Sequence, residues 1–295
     1  MGEERDELGP EAAGGTGRLT PDPAIRAYYE RGGEDVRLRA GDGLLEFLRT
    51  QEILRGHLPP PPARVLDVGG ASGIHSAWLA RDGHRVHLVD PIELHVEQAR
   101  AAAAAQPEAP FTAAAGDARA LDAPDASADA VLLLGPLYHL VERGERLAAL
   151  REAGRVVRPG GPVFAAAISR FASLFDALRR GFIVDPVFRP VLERTLRDGQ
   201  HRNPTGAPLW FTTAYFHRPE ELRQEVLEAG LELVELVAVE GPGWAVGDLE
   251  RRLEDPGWRE AILGACRAVA AEPSLLGSGH LIAVARRPVS AEAAG

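Results

Sequence analysis

Residues 65–73 constrain the fold most. The apolar run Val65-Leu66-Asp67-Val68 opens directly into Gly69-Gly70-Ala71-Ser72-Gly73, and a helical stretch follows to Asp82. A strand that ends in a Gly-rich turn and then a helix brings bare backbone and free N–H groups to one edge of a sheet, where a ligand can come close. The rest of the chain repeats the same rhythm. Strands are expected at 64–69, 85–90, 111–115, 130–135, 162–169, 231–239 and 280–286, and helices at 73–82, 93–105, 143–157 and 219–229. The strands are rich in Val and Leu and do not alternate cleanly with polar residues, the pattern of a parallel sheet buried on both faces. The expectation is an α/β fold with a doubly wound, mostly parallel, seven-stranded sheet.

The flanking segments divide the chain further. Residues 1–20 lack periodicity and read as a disordered tail. In 21–58 the apolar positions recur at helical spacing, broken by Gly32, Gly33, Gly41 and Gly43, which gives two short helices forming an N-terminal lid. A core over 59–169 follows, then a cap insertion at 170–218 where the strand-helix rhythm breaks, then the C-terminal part of the core at 219–288 with a helical insertion near 246–271, and a tail at 289–295. The net charge is −10 with no basic cluster, which argues against nucleic acid as a partner. The N-terminus lacks the apolar core of a secretory signal and the longest apolar runs are strand-length, so a cytoplasmic protein without a membrane partner is expected. Cys266, the single cysteine, sits in an apolar stretch and reads as a core residue.

A second signal gives the turn its chemistry. Asp90 closes the next strand, Val86-His87-Leu88-Val89-Asp90, where a carboxylate can accept the hydroxyls of a ribose. Turn and acid together indicate an adenosine-containing cofactor. The spacing, G-x-x-x-G, departs from the G-x-G-x-x-G of a pyrophosphate cradle. Asp67 would repel a diphosphate and attract the ammonium of a methionine, which favours a sulfonium cofactor.

From Pro60 onward the sequence resembles the class I, Rossmann-like, S-adenosylmethionine-dependent methyltransferases. The run Asp67-x-Gly69-x-Ala71-x-Gly73 looks like that family's first motif, with Ala71 in place of a glycine. The resemblance implies S-adenosyl-L-methionine as cofactor, Gly70 in the same turn, Asp90 on the ribose, and Pro91 and Ile92 along the adenine. Gly116-Asp117-Ala118 would contribute the contact of Asp117 with the adenine amino group. Leu134-Gly135-Pro136-Leu137-Tyr138-His139-Leu140 would be the catalytic loop, and Arg158-Pro159-Gly160-Gly161 matches the turn before the fifth strand. The Leu-Gly-Pro-Leu-Tyr-His-Leu phrase with the preceding Tyr-Tyr helix is also similar to bacterial methyltransferases of secondary metabolism, including some that methylate indole C3.

Methyl transfer from a sulfonium needs an aligned nucleophile, and a base where the acceptor carries a proton. His139 is the candidate base, or else it seals the adenosine pocket. Tyr28 and Tyr29 in the lid lie over cofactor or substrate, or only pack. Arg49 is a candidate partner for the methionine carboxylate, or forms a surface pair with Glu46 three residues earlier. The cap supplies Phe171, Phe175, Phe182, Phe188, Trp210, Phe211, Tyr215 and Phe216, a density that suits a small aromatic or apolar acceptor, although part of it is the cap's own core. Asp185, His201 and His217 are spare polar groups there, and their spacing fits no standard metal site. Two other classes use a similar pocket: a NAD-dependent oxidoreductase and a non-catalytic cofactor-binding module. The oligomeric state is not encoded in any of these patterns.

Overall fold

The structure is a computed structural model that describes residues 22–277 and 279–289. The tail expected at 1–20 and all but the first residue of that at 289–295 lie outside the described residues. Three helices come first: α1 (Pro23–Tyr29), α2 (Glu34–Arg37) and α3 (Gly41–His57). The core then runs β1 (Arg64–Val68), α4 (Ile74–Arg81), β2 (Arg85–Asp90), α5 (Glu93–Ala104), β3 (Thr112–Ala115), β4 (Ala130–Leu133), α6 (Pro136–His139), α7 (Arg143–Val156) and β5 (Pro162–Ser169). The segment over the sheet's edge holds α8 (Ala172–Arg180), α9 (Phe188–Asp198), β6 (Gln200–His201) and β7 (Ala214–His217). The chain closes with α10 (Pro219–Glu228), β8 (Glu232–Ala238), α11 (Leu249–Glu254), α12 (Pro256–Ala268) and β9 (His280–Arg286).

The strands form one mixed sheet in the order β3-β2-β1-β4-β5-β7-β6, with β9 antiparallel to both β5 and β8. The neighbours among β1 to β5, and the pair β5 and β7, are parallel. The sheet therefore has nine strands where seven were expected. The additional two are β6 and β7, of two and four residues, paired at His201 with Ala214. Segments that short, rich in His and aromatic residues, carry no apolar run from which a strand can be read. Three helices, not two, precede β1, because the glycines at 32 and 33 release a separate single-turn α2.

Each strand alternates between two apolar layers. Leu66, Val68, Val131, Leu133, Val163 and Ala165 pack with Leu150, Ala153 and Val226 of α7 and α10. Val65, Ala130, Leu132 and Phe164 pack with Leu54, Trp78, Leu79 and Ala99 of α3, α4 and α5. Burial on both faces explains the uninterrupted Val/Leu runs. A third, smaller cluster joins Leu45 of α3 to Leu249, Leu253, Ile262 and Cys266, so α11 and α12 brace the lid. No helix among the described residues is long and apolar enough to cross a membrane.

A buried polar knot fixes the edge. Arg146 of α7 holds Glu225 of α10 through contacts of 2.7 to 3.0 Å, and Glu225 also meets His217 Nε2 of β7 at 3.2 Å. The same guanidinium donates to the carbonyls of Leu140 and Val141, just after α6. His217 is thus a structural residue of this knot. His201 is likewise enclosed, between Thr195, Ser173 and the Trp210 carbonyl, and Asp185 caps the start of α9. None of His201, His217 and Asp185 lines either of the two cavities described below.

Candidate active site

The strand order reverses between β1 and β4, so the carboxyl ends of these two strands diverge and leave a crevice. Their turns come close there. A Cβ on Gly69 would lie 2.7 Å from Pro136, and one on Gly135 would lie 2.9 Å from the Gly69 carbonyl, so both positions exclude a side chain. Above the crevice sits a cavity of about 400 Å³, lined by Asp67, Gly69, Gly70, Ala71, Asp90, Pro91, Ile92, Gly116, Asp117, Ala118, Leu134 and Gly135, with Tyr29 and His139 closing its top. Twelve of the sequence-derived site positions thereby meet at one place.

Gly73 and Arg49 do not. Gly73 faces away, where a Cβ would meet the Phe111 ring at 2.9 Å, so it permits helix packing rather than ligand approach. Arg49 is buried, donates to the Val239 carbonyl at 3.2 Å and pairs with Glu52. Glu46 pairs instead with Arg37 at 2.7 Å. The expected contact of Arg49 with a methionine carboxylate and its expected pairing with Glu46 are both corrected, because α3 turns Arg49 towards β8 and Glu46 towards the cavity.

The acids around the turn have different partners. Asp67 is 1% exposed; Ser76 donates to its Oδ2 at 2.7 Å, and its Oδ1 has no partner. Burial raises its pKa to about 6. Asp90 organises the backbone: Ala71 N and Ile92 N donate to it at 3.0 and 2.9 Å, and His95 Nδ1 lies 3.0 Å from its Oδ1. Ala71 sits at φ 48°, a left-handed conformation that costs a non-glycine residue about 1 kcal/mol and is held by that bond to Asp90. Asp117 is clamped by Arg119 through its backbone and guanidinium at 2.7 to 2.9 Å.

The top of the cavity is a contact between lid and core. Tyr29 Oη and His139 Nε2 are 2.7 Å apart. His139 Nδ1 faces the Thr213 carbonyl at 3.3 Å, and a carbonyl only accepts, so Nδ1 carries the proton and Tyr29 donates to Nε2. Burial lowers the His139 pKa to about 4 and raises that of Tyr29 well above its ordinary value. Tyr28 packs edge-on against Phe211 at 5.4 Å and does not line this cavity.

Tyr28 lines a second cavity of about 440 Å³, enclosed by the lid and the segment from α8 to β7. Phe175, Phe182, Phe188, Trp210, Phe211 and Phe216 also face it, while Tyr215 lies against the Arg146 guanidinium. Tyr29, Glu34, Arg37, Glu46, Tyr138 and His280 border both cavities, which are therefore contiguous. At that border His280 Nδ1 meets Glu240 at 2.6 Å; burial opposes its charge, but Glu46 and Glu240 raise its pKa to about 9. Glu46 is lowered to about 2, against its burial, by Arg37 and His280. Glu46, Glu240 and His280 lie close enough to share a cation, yet Arg37 already occupies Glu46 and His280 holds its proton, so the set is an ion-pair network.

The sequence reading missed His95, Arg37, Glu240 and His280 at this site. Only His95 left a signal, one turn into the helix that follows Asp90. The others reach the site from α2, the loop after β8 and the start of β9.

Residues 65–161, from the Gly-rich strand to the turn before β5, match a family model described as a methyltransferase domain. The chain is 29% identical over 197 residues to a ubiquinone biosynthesis O-methyltransferase of Methylocella silvestris, covering 58% of this chain and 70% of that protein. Residues 65–161 of the chain thus carry a methyltransferase domain of the S-adenosylmethionine-dependent kind. The methyltransferase is also 37% identical over 117 residues to the S-adenosyl-L-methionine-dependent Diels-Alderase iccD of Talaromyces variabilis, covering 38% of this chain and 39% of that protein. A crystal structure of a SAM-dependent methyltransferase from Methanosarcina mazei shares its fold with a TM-score of 0.56 at 19% identity, covering 81% of this chain and 98% of that one. S-adenosylmethionine is accordingly the enzyme's cofactor.

Proposed function

We propose that the enzyme methylates a small aromatic or apolar acceptor, with an indole of secondary metabolism as the first candidate, and that Tyr29 and His139 accept the acceptor's proton. The observation that carries this reading is the 2.7 Å Tyr29–His139 contact at the mouth between the two cavities. The cofactor fits the first cavity. Asp67 Oδ1, buried and without a partner, suits the methionine ammonium, and a Cβ at Gly70 would fall 2.8 Å from that carboxylate, so the turn there must stay bare. Asp90 and Asp117 would take the ribose and the adenine amino group, each through the acceptor position its present bonds leave free. When bound, the cofactor supplies a methyl group on a cationic sulfur.

The acceptor would lie among Phe175, Trp210 and Phe211, with its nucleophile towards Tyr29. A proton leaving the acceptor passes to Tyr29 Oη as the phenolic proton passes to His139 Nε2, leaving Tyr29 neutral and His139 charged. With a pKa of about 4, His139 cannot ionise an acceptor beforehand. It takes a proton only from a group that becomes strongly acidic as the reaction advances, as the N–H of an indole does once C3 has gained a substituent. A net charge of −10 supports a small-molecule substrate over nucleic acid.

The test is a panel of indoles and size-matched phenols with methyl-labelled S-adenosylmethionine, read by mass spectrometry. Methylated indole is expected, with Tyr29→Phe reducing kcat roughly 100-fold. Turnover of phenols alone would replace the indole by a phenolic acceptor. Tight cofactor binding without methylation of any acceptor would indicate a non-catalytic module, and binding of NADH in its place an oxidoreductase.

A further inference from the structure

Among the described residues that line the first cavity, two hold a buried side-chain atom without a hydrogen-bond partner: Asp67 Oδ1 and His95 Nε2. The second has no part in the chemistry above. His95 is 3% exposed, lies on the first turns of α5, and has its Nδ1 3.0 Å from Asp90 Oδ1. A carboxylate oxygen accepts, so Nδ1 carries a proton, and in the neutral imidazole Nε2 keeps a lone pair. The Tyr29 ring stands edge-on to the imidazole at 5.0 Å and screens it from solvent. Leaving such an acceptor buried and unmet is unfavourable unless a ligand supplies the donor.

The bonds of Asp90 say which donor. A carboxylate has about four acceptor positions. Oδ1 already takes Ile92 N and His95 Nδ1, and Oδ2 takes Ala71 N. One position is left, at Oδ2, whereas a ribose offers two adjacent hydroxyl donors. We propose that the ribose diol of the cofactor is shared: one hydroxyl donates to Asp90 Oδ2 and the other to His95 Nε2. His95 then has two tasks, steadying the carboxylate through Nδ1 and binding the cofactor through Nε2. This rests on the placement of the cofactor in the first cavity.

The experiment is calorimetric titration of the full-length enzyme with S-adenosylhomocysteine and with its 2′-deoxy and 3′-deoxy analogues, for the wild type, His95→Asn and His95→Gln. Asparagine keeps an N–H near the position of Nδ1 and removes Nε2; glutamine reaches the position of Nε2 with a carbonyl oxygen. His95→Asn is expected to bind S-adenosylhomocysteine roughly tenfold more weakly, one hydrogen bond's worth, while binding one of the two deoxy analogues as well as the wild type does. His95→Gln is expected to keep the wild-type preference for the full diol. Equal weakening towards all three ligands, or none, overturns the proposal. If His95→Asn does not fold, loss of the diol preference in a His95→Gln protein that still binds S-adenosylhomocysteine overturns it as well. Failure of the wild type to bind S-adenosylhomocysteine would instead overturn the cofactor placement itself.

Discussion

His139 and Asp67 titrate in opposite directions for the same reason. Burial disfavours charge, so it lowers the imidazole to about 4 and raises the carboxyl to about 6. These shifts separate two pH effects. With cofactor saturating, kcat/KM for the acceptor should stay level from neutral pH down to about 5 and fall as pH passes through about 4, where His139 gains a proton and can no longer accept one. An acid limb near the ordinary histidine value of about 6.5 would mean that His139 is solvated in the working enzyme. The KM for S-adenosylmethionine should rise earlier, as pH falls through about 6 and Asp67 loses the charge proposed to attract the ammonium. Steady-state profiles run with each substrate varied in turn distinguish the two.

At the scale of elements, the site depends on a buried ion pair that joins two helices, α7 and α10. Arg146 of α7 and Glu225 of α10, each 2% exposed, meet beneath the loop that follows α6, and Arg146 also holds the Leu140 and Val141 carbonyls of that loop. Removing one member of a buried pair strands the other charge. Glu225→Ala is expected to lower stability by about 3–5 kcal/mol in urea unfolding, and Glu225→Gln by less, because an amide oxygen still accepts from the guanidinium. A loss under about 1 kcal/mol for the alanine variant would show that water reaches Arg146. The same anchoring explains why α6, only four residues long, can hold His139 in place.

For the whole molecule, the consequential feature is the continuity of two cavities under one lid. Helix α1 spans them: Tyr29 bonds His139 of the core, Tyr28 packs on Phe211, and Thr212 donates to the Ala24 carbonyl at 3.1 Å. Trp210 and Trp244 line the second cavity, whereas Trp78 is in the core and Trp258 is exposed. Binding of a small phenolic probe that does not absorb at the tryptophan excitation wavelength should therefore change the emission of the wild type. The change should vanish in a Trp210→Phe, Trp244→Phe double variant, while S-adenosylhomocysteine alone should leave emission nearly constant. A probe response that survives the double substitution would place the acceptor elsewhere.

The sequence by itself determined the doubly wound core, the crevice at the ends of β1 and β4 and the position of most residues around it. Those properties follow from local patterns: apolar runs of strand length, glycines where backbones must approach, and acids at strand ends. Tertiary structure alone decided the rest. Arg49 and Gly73 carry the right chemistry at the right spacing but point elsewhere, because the pitch of α3 and the packing of Phe111 set their directions. Tyr29 and His139, 110 residues apart, meet only when the lid folds over the core. Glu240 and His280 reach the same border from opposite sides of α11 and α12. A periodic sequence reports which face of an element is buried, but not which distant element buries it, and at this site that distant partner decides which polar groups meet.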